Sequence, residues 1–439
     1  MPRRNFFVLV AVAFALLALS TRAHAADDQE KVLYRFCSLA NCTDGDQPTG
    51  ALAFDSNGNL FGTTQYGGSD AATGVVYELS PAADGTWTDT VLYTFDPALT
   101  PGGYLVLDTA GNVYGTAAPL TGTGGAPCTI SQGCGIAFEL QHGSGGQWQF
   151  KVLHTFLPNG VDGTVPNAGL VWDAAGNLYG STSSGGLKDC GSGRRKNRCG
   201  TIFELSPNSD GTWTETIIEK FNVINGAYPN GPLAIDANGN LYGTTEAGGG
   251  ATGAGVVFEL LPQGSGKWQK KTIYTFNANG GLAVPIGNLV LDTQGNLYGA
   301  TFIGEAGYGS GSVFELQNDG SGHWTRHVLH NFVSGVYPLF AEGLTQDNNG
   351  NLYGTTDLGG AYGDGSVFEL ALNAENQWIK KDLYSFNATK YLRLGDFPFG
   401  PVIFGPDGNL YGTASSGGIG NDDCFNATFG CGVVFQLTP

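Results

Sequence analysis

The chain has 439 residues, 71 of them glycine, with 13% charged residues and a formal net charge of −18. The glycines follow no three-residue period, which excludes collagen, and 41% apolar with 12% aromatic content excludes a disordered chain. So acidic a surface repels nucleic acid and anionic membrane, and neither is expected as a partner.

In chain order, residues 1–25 read as a signal peptide. Arg3 and Arg4 precede an apolar run from Phe6 to Leu19, and Ala23-His24-Ala25 has the small-x-small pattern of a cleavage site. The run is too short to span a bilayer confidently, no later stretch is longer, and no membrane insertion is expected after processing. Cleavage removes Arg3, Arg4 and Arg22 and takes the net charge to −21. Arg3-Arg4-Asn5-Phe6-Phe7 weakly resembles a twin-arginine signal, so the export route stays open between that and general secretion. The expected location is secreted, extracellular or periplasmic.

Residues 26–439 are expected to form one domain. The string G-N-[LV]-[YF]-G begins at Gly58, Gly111, Gly176, Gly239, Gly295, Gly350 and Gly408, a mean spacing of about 58 residues. Each unit runs through a segment ending in D-x-x-G-N, an LYGTT-like segment, a glycine-rich loop, a VVFEL-like segment and W-x4-LYTF. These are four short strands rich in β-branched and aromatic residues, divided by turn residues. The units span about 51–95, 101–156, 168–221, 231–276, 287–332, 342–386 and 400–437.

Asp55, Asp108, Asp173, Asp236, Asp292 and Asp347 stand three residues before the repeat glycine and are expected to cap a tight turn. The seventh unit departs, with Gly405 in that place and Asp407 beside Gly408. One carboxylate per turn falls short of a calcium cage, so no specific structural calcium site is supported.

The distance from the FEL glutamate to the following Trp is nine residues in all six complete units, and from that Trp to the closing Phe eight. From repeat Gly to Glu it varies between 19 and 28. Length variation is therefore confined to the loop between strands two and three and to the inter-unit connection. In a meander these share one end of the sheet, so one face is fixed scaffold and the other is variable, where function is expected.

The last unit ends at Val433-Val434-Phe435-Gln436-Leu437 without a fourth strand, and residues 31–36 copy the missing one. A strand from the N-terminus that completes the last sheet closes a ring and removes its open edges. The fold expected is all-β: a seven-bladed β-propeller of four-stranded antiparallel blades. Asp28 replaces the Trp of the N-terminal copy, so that strand is expected to be shorter.

Through GNLYGTT…VFEL…W…LYTF the chain resembles the Gloeo/Verruco, or GloVer, tandem-repeat family of bacterial exported proteins. The resemblance covers the whole processed chain and implies an extracellular repeat protein of unassigned activity, with no catalytic residues to carry over. Some relatives carry a C-terminal sorting anchor; this chain stops at Pro439 without one, which implies a soluble product. The D-x-x-G-N-L-Y turn is also similar to that of propellers with lactonase activity, which need a metal at the channel mouth held by a converging Glu/Asn/Asp set; no such set stands out in the sequence.

The cysteines form four close pairs: Cys37 and Cys42, Cys128 and Cys134, Cys190 and Cys199, Cys424 and Cys431. Behind a signal peptide these read as disulfides, with zinc the alternative disfavoured by the absence of accompanying histidines. No metal or other cofactor is assigned. His154 and His330 replace the Tyr of the LYTF strand, His142 and His323 lie in scaffold turns, and none is expected on the variable face, which disfavours a Ser-His-Asp hydrolase. The FEL glutamates sit at the scaffold end, in hydrogen-bonding roles.

Candidate catalytic acids on the variable face are Glu246, Glu305, Asp357 and Asp364 in second loops, with Glu342 and Asp396 in connections. Arg194, Arg195, Lys196 and Arg198 concentrate positive charge in one loop of unit three, a candidate anion or partner contact. Tyr228, Tyr308, Tyr337 and Tyr362 are candidate ligand-binding aromatics over the short-looped units four to six, where sugar rings or peptide would stack. The leading expectation is a monomeric secreted propeller that binds an extracellular glycan or protein. The alternatives are a carboxylate-dependent polysaccharide hydrolase or lyase, and a structural cell-surface protein.

Overall fold

A computed structural model describes residues 30–68, 74–95, 98–119, 134–143, 145–187, 199–277, 282–304, 311–332, 341–387, 395–418, 424 and 430–439. The seven repeats form seven antiparallel blades of a β-propeller. Blade five shows the pattern: Ala283–Leu291 innermost, then Leu297–Ile303, Ser312–Asn318 and Trp324–Asn331 at the rim.

Blade seven closes the ring. Glu30–Arg35 pairs antiparallel with Val433–Leu437, from Glu30 opposite Leu437 to Arg35 opposite Val433. The strand is described from Glu30 on, so Asp28, in the place of the repeat Trp, lies outside the described residues. Its Phe36 amide donates to the Gly432 carbonyl at 3.1 Å, the same bond that Phe95 makes to Gly74 and Phe156 to Gly135 inside a single repeat. The seam between chain ends is therefore built like every other blade.

Two glycines of the repeat have different physical reasons. The repeat glycine of each turn has φ between 80° and 89°, and a Cβ there would meet nothing nearer than Pro262 Cγ, 3.9 Å from Gly239, so backbone conformation alone selects it. The glycine of LYG is needed for room: a Cβ on Gly299 would sit 2.7 Å from Phe314 Cζ, and one on Gly243 2.6 Å from Phe258 Cζ. The FEL phenylalanine thus lies flat over the second strand and is fully buried in each of these blades. In blade one Tyr77 replaces it and buries its hydroxyl with no hydrogen-bond partner.

Neighbouring blades are joined at the axis and again at the rim. Near the axis, Thr116 Oγ1 donates to the Ala168 carbonyl at 2.9 Å, Thr355 Oγ1 to Gly400 at 2.7 Å and Thr413 Oγ1 to Gly50 at 3.2 Å, each time reaching the inner strand of the next blade. The threonine of the repeat is therefore an inter-blade tie.

Candidate functional site

The repeated carboxylates are absorbed by the scaffold. Asp108 Oδ1 accepts the amides of Ala110 and Asn112, and its Oδ2 accepts Asn112 Nδ2 at 2.8 Å and the Tyr114 hydroxyl at 3.1 Å. The same hydroxyl lies 2.8 Å from Glu139 Oε1, which links the turn to the FEL glutamate. Blades four, five and six repeat this through Tyr242, Tyr298 and Tyr353. Burial and the two adjacent carboxylates push these tyrosines well above the usual phenol range. Blade seven, where the Asp is displaced, has also exchanged the Glu: Gln436 Nε2 donates to Asp407 Oδ2 and to the Tyr411 hydroxyl, both at 2.9 Å. A carboxylate there would face Asp407 with no proton to share, so the two departures compensate each other.

At the opposite end, the inner strands converge on the axis. Eight residues before the repeat glycine stand Gly50, Gly103, Ala168, Gly231, Gly287, Glu342 and Gly400, so five of seven positions have no side chain. A Cβ on Gly50 would fall 1.6 Å from the Gly103 carbonyl oxygen, and one on Gly231 2.2 Å from that of Gly287. Crowding of seven backbones about one axis selects glycine here. Above this ring opens a pocket of about 340 Å³, lined among others by Tyr104, Asn167, Asn230, Glu246, Ile286 and Phe399.

The polar groups of this mouth form a chain across blades three and four. Asn167 Nδ2 donates to Asn230 Oδ1, and Asn230 Nδ2 donates to Glu246 Oε1 at 2.7 Å. The carboxylate orients both amides, and Asn167 Oδ1 remains buried with no hydrogen-bond partner. Phe399, 48% exposed, presents an apolar face across the opening. The arrangement offers fixed amides, one carboxylate and aromatic surface in a concave, ligand-sized space.

Of the residues singled out from sequence, Glu246 lies in this mouth. Tyr228, whose carbonyl accepts the Glu246 amide at 2.9 Å, is half-buried, packed with Cys199 and Val256 in the core between blades three and four. Tyr362 stands on the blade-six loop, 58% exposed and away from the mouth. Asp357, Asp364 and Asp396 belong to the variable side of blades six and seven. Asp396 is 1% exposed, and burial, with the neighbouring Asp364 charge, pushes its carboxyl up to about 7. Burial pushes that of Asp357 up to about 6. Glu305, Tyr308, Tyr337, Arg194, Arg195, Lys196 and Arg198 lie outside the described residues. Sequence reasoning missed Tyr104, Asn167 and Asn230; their signal is their place next to the small-residue column of the inner strand.

A larger cavity, about 770 Å³, opens on the scaffold face between blades five and six, lined by the turns around Asp292 and Asp347 with Tyr298 and Trp378. Size favours it, yet its carboxylates already hold their own turns: Asp292 Oδ1 accepts two backbone amides and Oδ2 accepts Asn296 Nδ2. It has the chemistry of the scaffold, and the axial mouth is the better candidate.

Disulfides join Cys37 to Cys42 and Cys424 to Cys431, and Cys199 is also disulfide-bonded. Its expected partner Cys190, and the Cys128 expected to pair with buried Cys134, lie outside the described residues. Among the described residues no helix is long and apolar enough to cross a membrane.

Comparison with solved structures agrees on the fold. The virginiamycin B lyase of Staphylococcus aureus superposes with a TM-score of 0.52 at 12% identity, covering 94% of this chain and 98% of that one. The periplasmic gluconolactonase PpgL of Pseudomonas aeruginosa gives 0.50 at 14% identity, over 86% and 99%. Likeness at such identities is a likeness of fold alone. No curated protein matches the sequence. The profile of the Gloeobacter/Verrucomicrobia repeat matches residues 22–193, 123–332 and 192–426. With its repeats and propeller in register along that whole span, the chain belongs to the Gloeobacter/Verrucomicrobia repeat family.

Proposed function

We propose that this is an exported binding protein that holds a neutral, polyhydroxylated ligand, such as the end of an extracellular glycan, in the mouth of the propeller channel on the variable face. The observation that carries the reading is the Asn167–Asn230–Glu246 chain, whose residues line a pocket together with Tyr104 and Phe399. Sugar hydroxyls both donate and accept, which suits amides held by a carboxylate, and a ring face suits the aromatic walls. The net charge of −18 argues against an anionic ligand. The disulfides fit an oxidising compartment outside the cytoplasm.

Calorimetric titration with a panel of neutral and uronic oligosaccharides tests this. Binding of a neutral member should weaken at least about tenfold in Asn230→Ala and Glu246→Gln, as expected for loss of hydrogen bonds worth about 1.4 kcal/mol or more. Binding that survives both substitutions, or an absence of any binding across the panel, rejects the reading.

A second reading, a carboxylate-dependent hydrolase or lyase, is supported by Asp396, whose buried carboxyl stays protonated up to about pH 7 beside Asp364. It requires product release from a polysaccharide or ester substrate that disappears in Asp396→Asn. Turnover unchanged by that substitution removes it.

A further inference from the structure

The rim of the propeller carries a second repeating contact. The residue six positions after the repeat Trp on one outer strand meets the residue two positions after the Trp on the next. Tyr93 stacks on Phe150 with ring centroids 3.8 Å apart, and the Arg326 guanidinium lies 5.8 Å from the Tyr274 ring centre. Lys270 and Glu219 hold the corresponding places between blades three and four. In the first two junctions the paired groups satisfy one another, and in the third Lys270 and Glu219 bring opposite charges together.

The junction of blades two and three differs. His154 Nε2 lies 3.5 Å from Glu215 Oε2 of the next blade and 3.3 Å from Oδ2 of Asp162, which the inter-blade connection supplies. Two carboxylates thus face one imidazole. Asp162 Oδ2 also accepts the Leu157 amide at 2.9 Å, but Asp162 Oδ1 and Glu215 Oε1 are both buried with no hydrogen-bond partner. Asp162 is 6% exposed, so water does not relieve it. Two unpartnered carboxylate oxygens in one desolvated cluster are costly unless a cation or a proton shared between them takes them.

We propose that His154, Asp162 and Glu215 form a binding site for one divalent transition-metal ion that clamps blade two, the connection and blade three together. The donor atoms lie within 4.8 Å of one another. Ligands at about 2.0–2.1 Å from a tetrahedral ion stand roughly 3.3–3.4 Å apart, close to the two separations observed here. One imidazole nitrogen with two carboxylates suits zinc or a similar borderline ion and balances its charge. Calcium, which takes six to eight oxygens, does not suit an imidazole donor. The site is separate from the channel mouth and independent of what the mouth binds.

The test uses purified full-length protein stripped with chelator, reloaded with Zn²⁺, desalted, and assayed for bound metal and thermal midpoint. Wild type should retain one equivalent of zinc, and its midpoint should rise with Zn²⁺ but not with Ca²⁺. His154→Tyr restores the residue that Tyr93, Tyr274 and Tyr384 hold at this position, so the blade should fold normally; it should bind zinc at least about tenfold more weakly and lose the shift. Glu215→Gln should weaken binding while keeping the shape of the side chain. Wild type that retains no zinc, zinc retained equally by His154→Tyr, or an equal response to Ca²⁺ would each overturn the proposal.

Discussion

Replacing Asp396 with Asn should change how stability depends on pH. Asp396 is buried to 1% exposure in the strand Gly395–Pro398, its Oδ1 has no hydrogen-bond partner, and its carboxyl is pushed up to about 7 by burial and then by the Asp364 charge. In the unfolded chain an aspartate titrates near 3.9. Between those values the folded state holds a proton that the unfolded state has released. Stability therefore falls as pH rises through this window, and the contribution of this one group is fully present below about 4 and fully lost above about 7. At about 1.4 kcal/mol per pKa unit, three units give a loss of about 4 kcal/mol. Asparagine keeps the shape and cannot ionise. Its extra amide hydrogens impose a penalty of about 1–3 kcal/mol if unpaired, but that penalty does not vary with pH. Urea unfolding of both proteins from pH 4 to pH 8 separates the two effects. The difference in unfolding free energy, variant minus wild type, should grow by about 4 kcal/mol in favour of the variant across that range. A difference that stays constant with pH would refute the assignment of a protonated, desolvated carboxyl, and with it the support Asp396 lends to an acid–base role. A gain in stability on removing such a group is what a functional residue kept against the interest of the fold would show.

Two further outcomes test the scaffold. Phe36→Ala removes a fully buried ring that packs edge-on against Tyr34 and Tyr77 at 5.2 and 5.0 Å; chemical unfolding should show a loss of about 3–5 kcal/mol, and a loss below about 1 kcal/mol would mean the N-terminal strand does not latch the ring. Tyr77→Phe removes the unpartnered hydroxyl and restores the residue that Phe138, Phe203 and Phe258 supply elsewhere. It should leave stability unchanged or raise it by about 1 kcal/mol, whereas destabilisation of that size would show that the hydroxyl has a partner.

The fold was legible because its determinants are local and repeated. The positive-φ turn glycine and the glycine beneath the FEL aromatic mark a fixed place in unit after unit, and the strand at residues 31–36 supplies the one copy that the last unit lacks. The candidate site was legible only in part. Glu246 was visible as an acid in a variable loop, but Asn167 and Asn230 lead into the inner strands of two different blades, 63 residues apart, and neither type stands out in a chain whose every unit contains asparagine. What gathers them is the packing of one blade on the next, which no single repeat encodes. The same holds for His154, Asp162 and Glu215, which belong to an outer strand, a connection and the next outer strand. The column of small residues from Gly50 to Gly400 was the available signal: it marks where seven backbones crowd, and the side chains just above it line the mouth.

The central claim, that ligand binding belongs to the axial mouth of the variable face, is tested most directly by a crystal structure of the protein soaked with a neutral oligosaccharide selected by titration. Ligand density in contact with Tyr104, Asn230 and Glu246 is the expected result. Density confined to the larger scaffold-face cavity beside Asp292, Asp347 and Trp378 would contradict it.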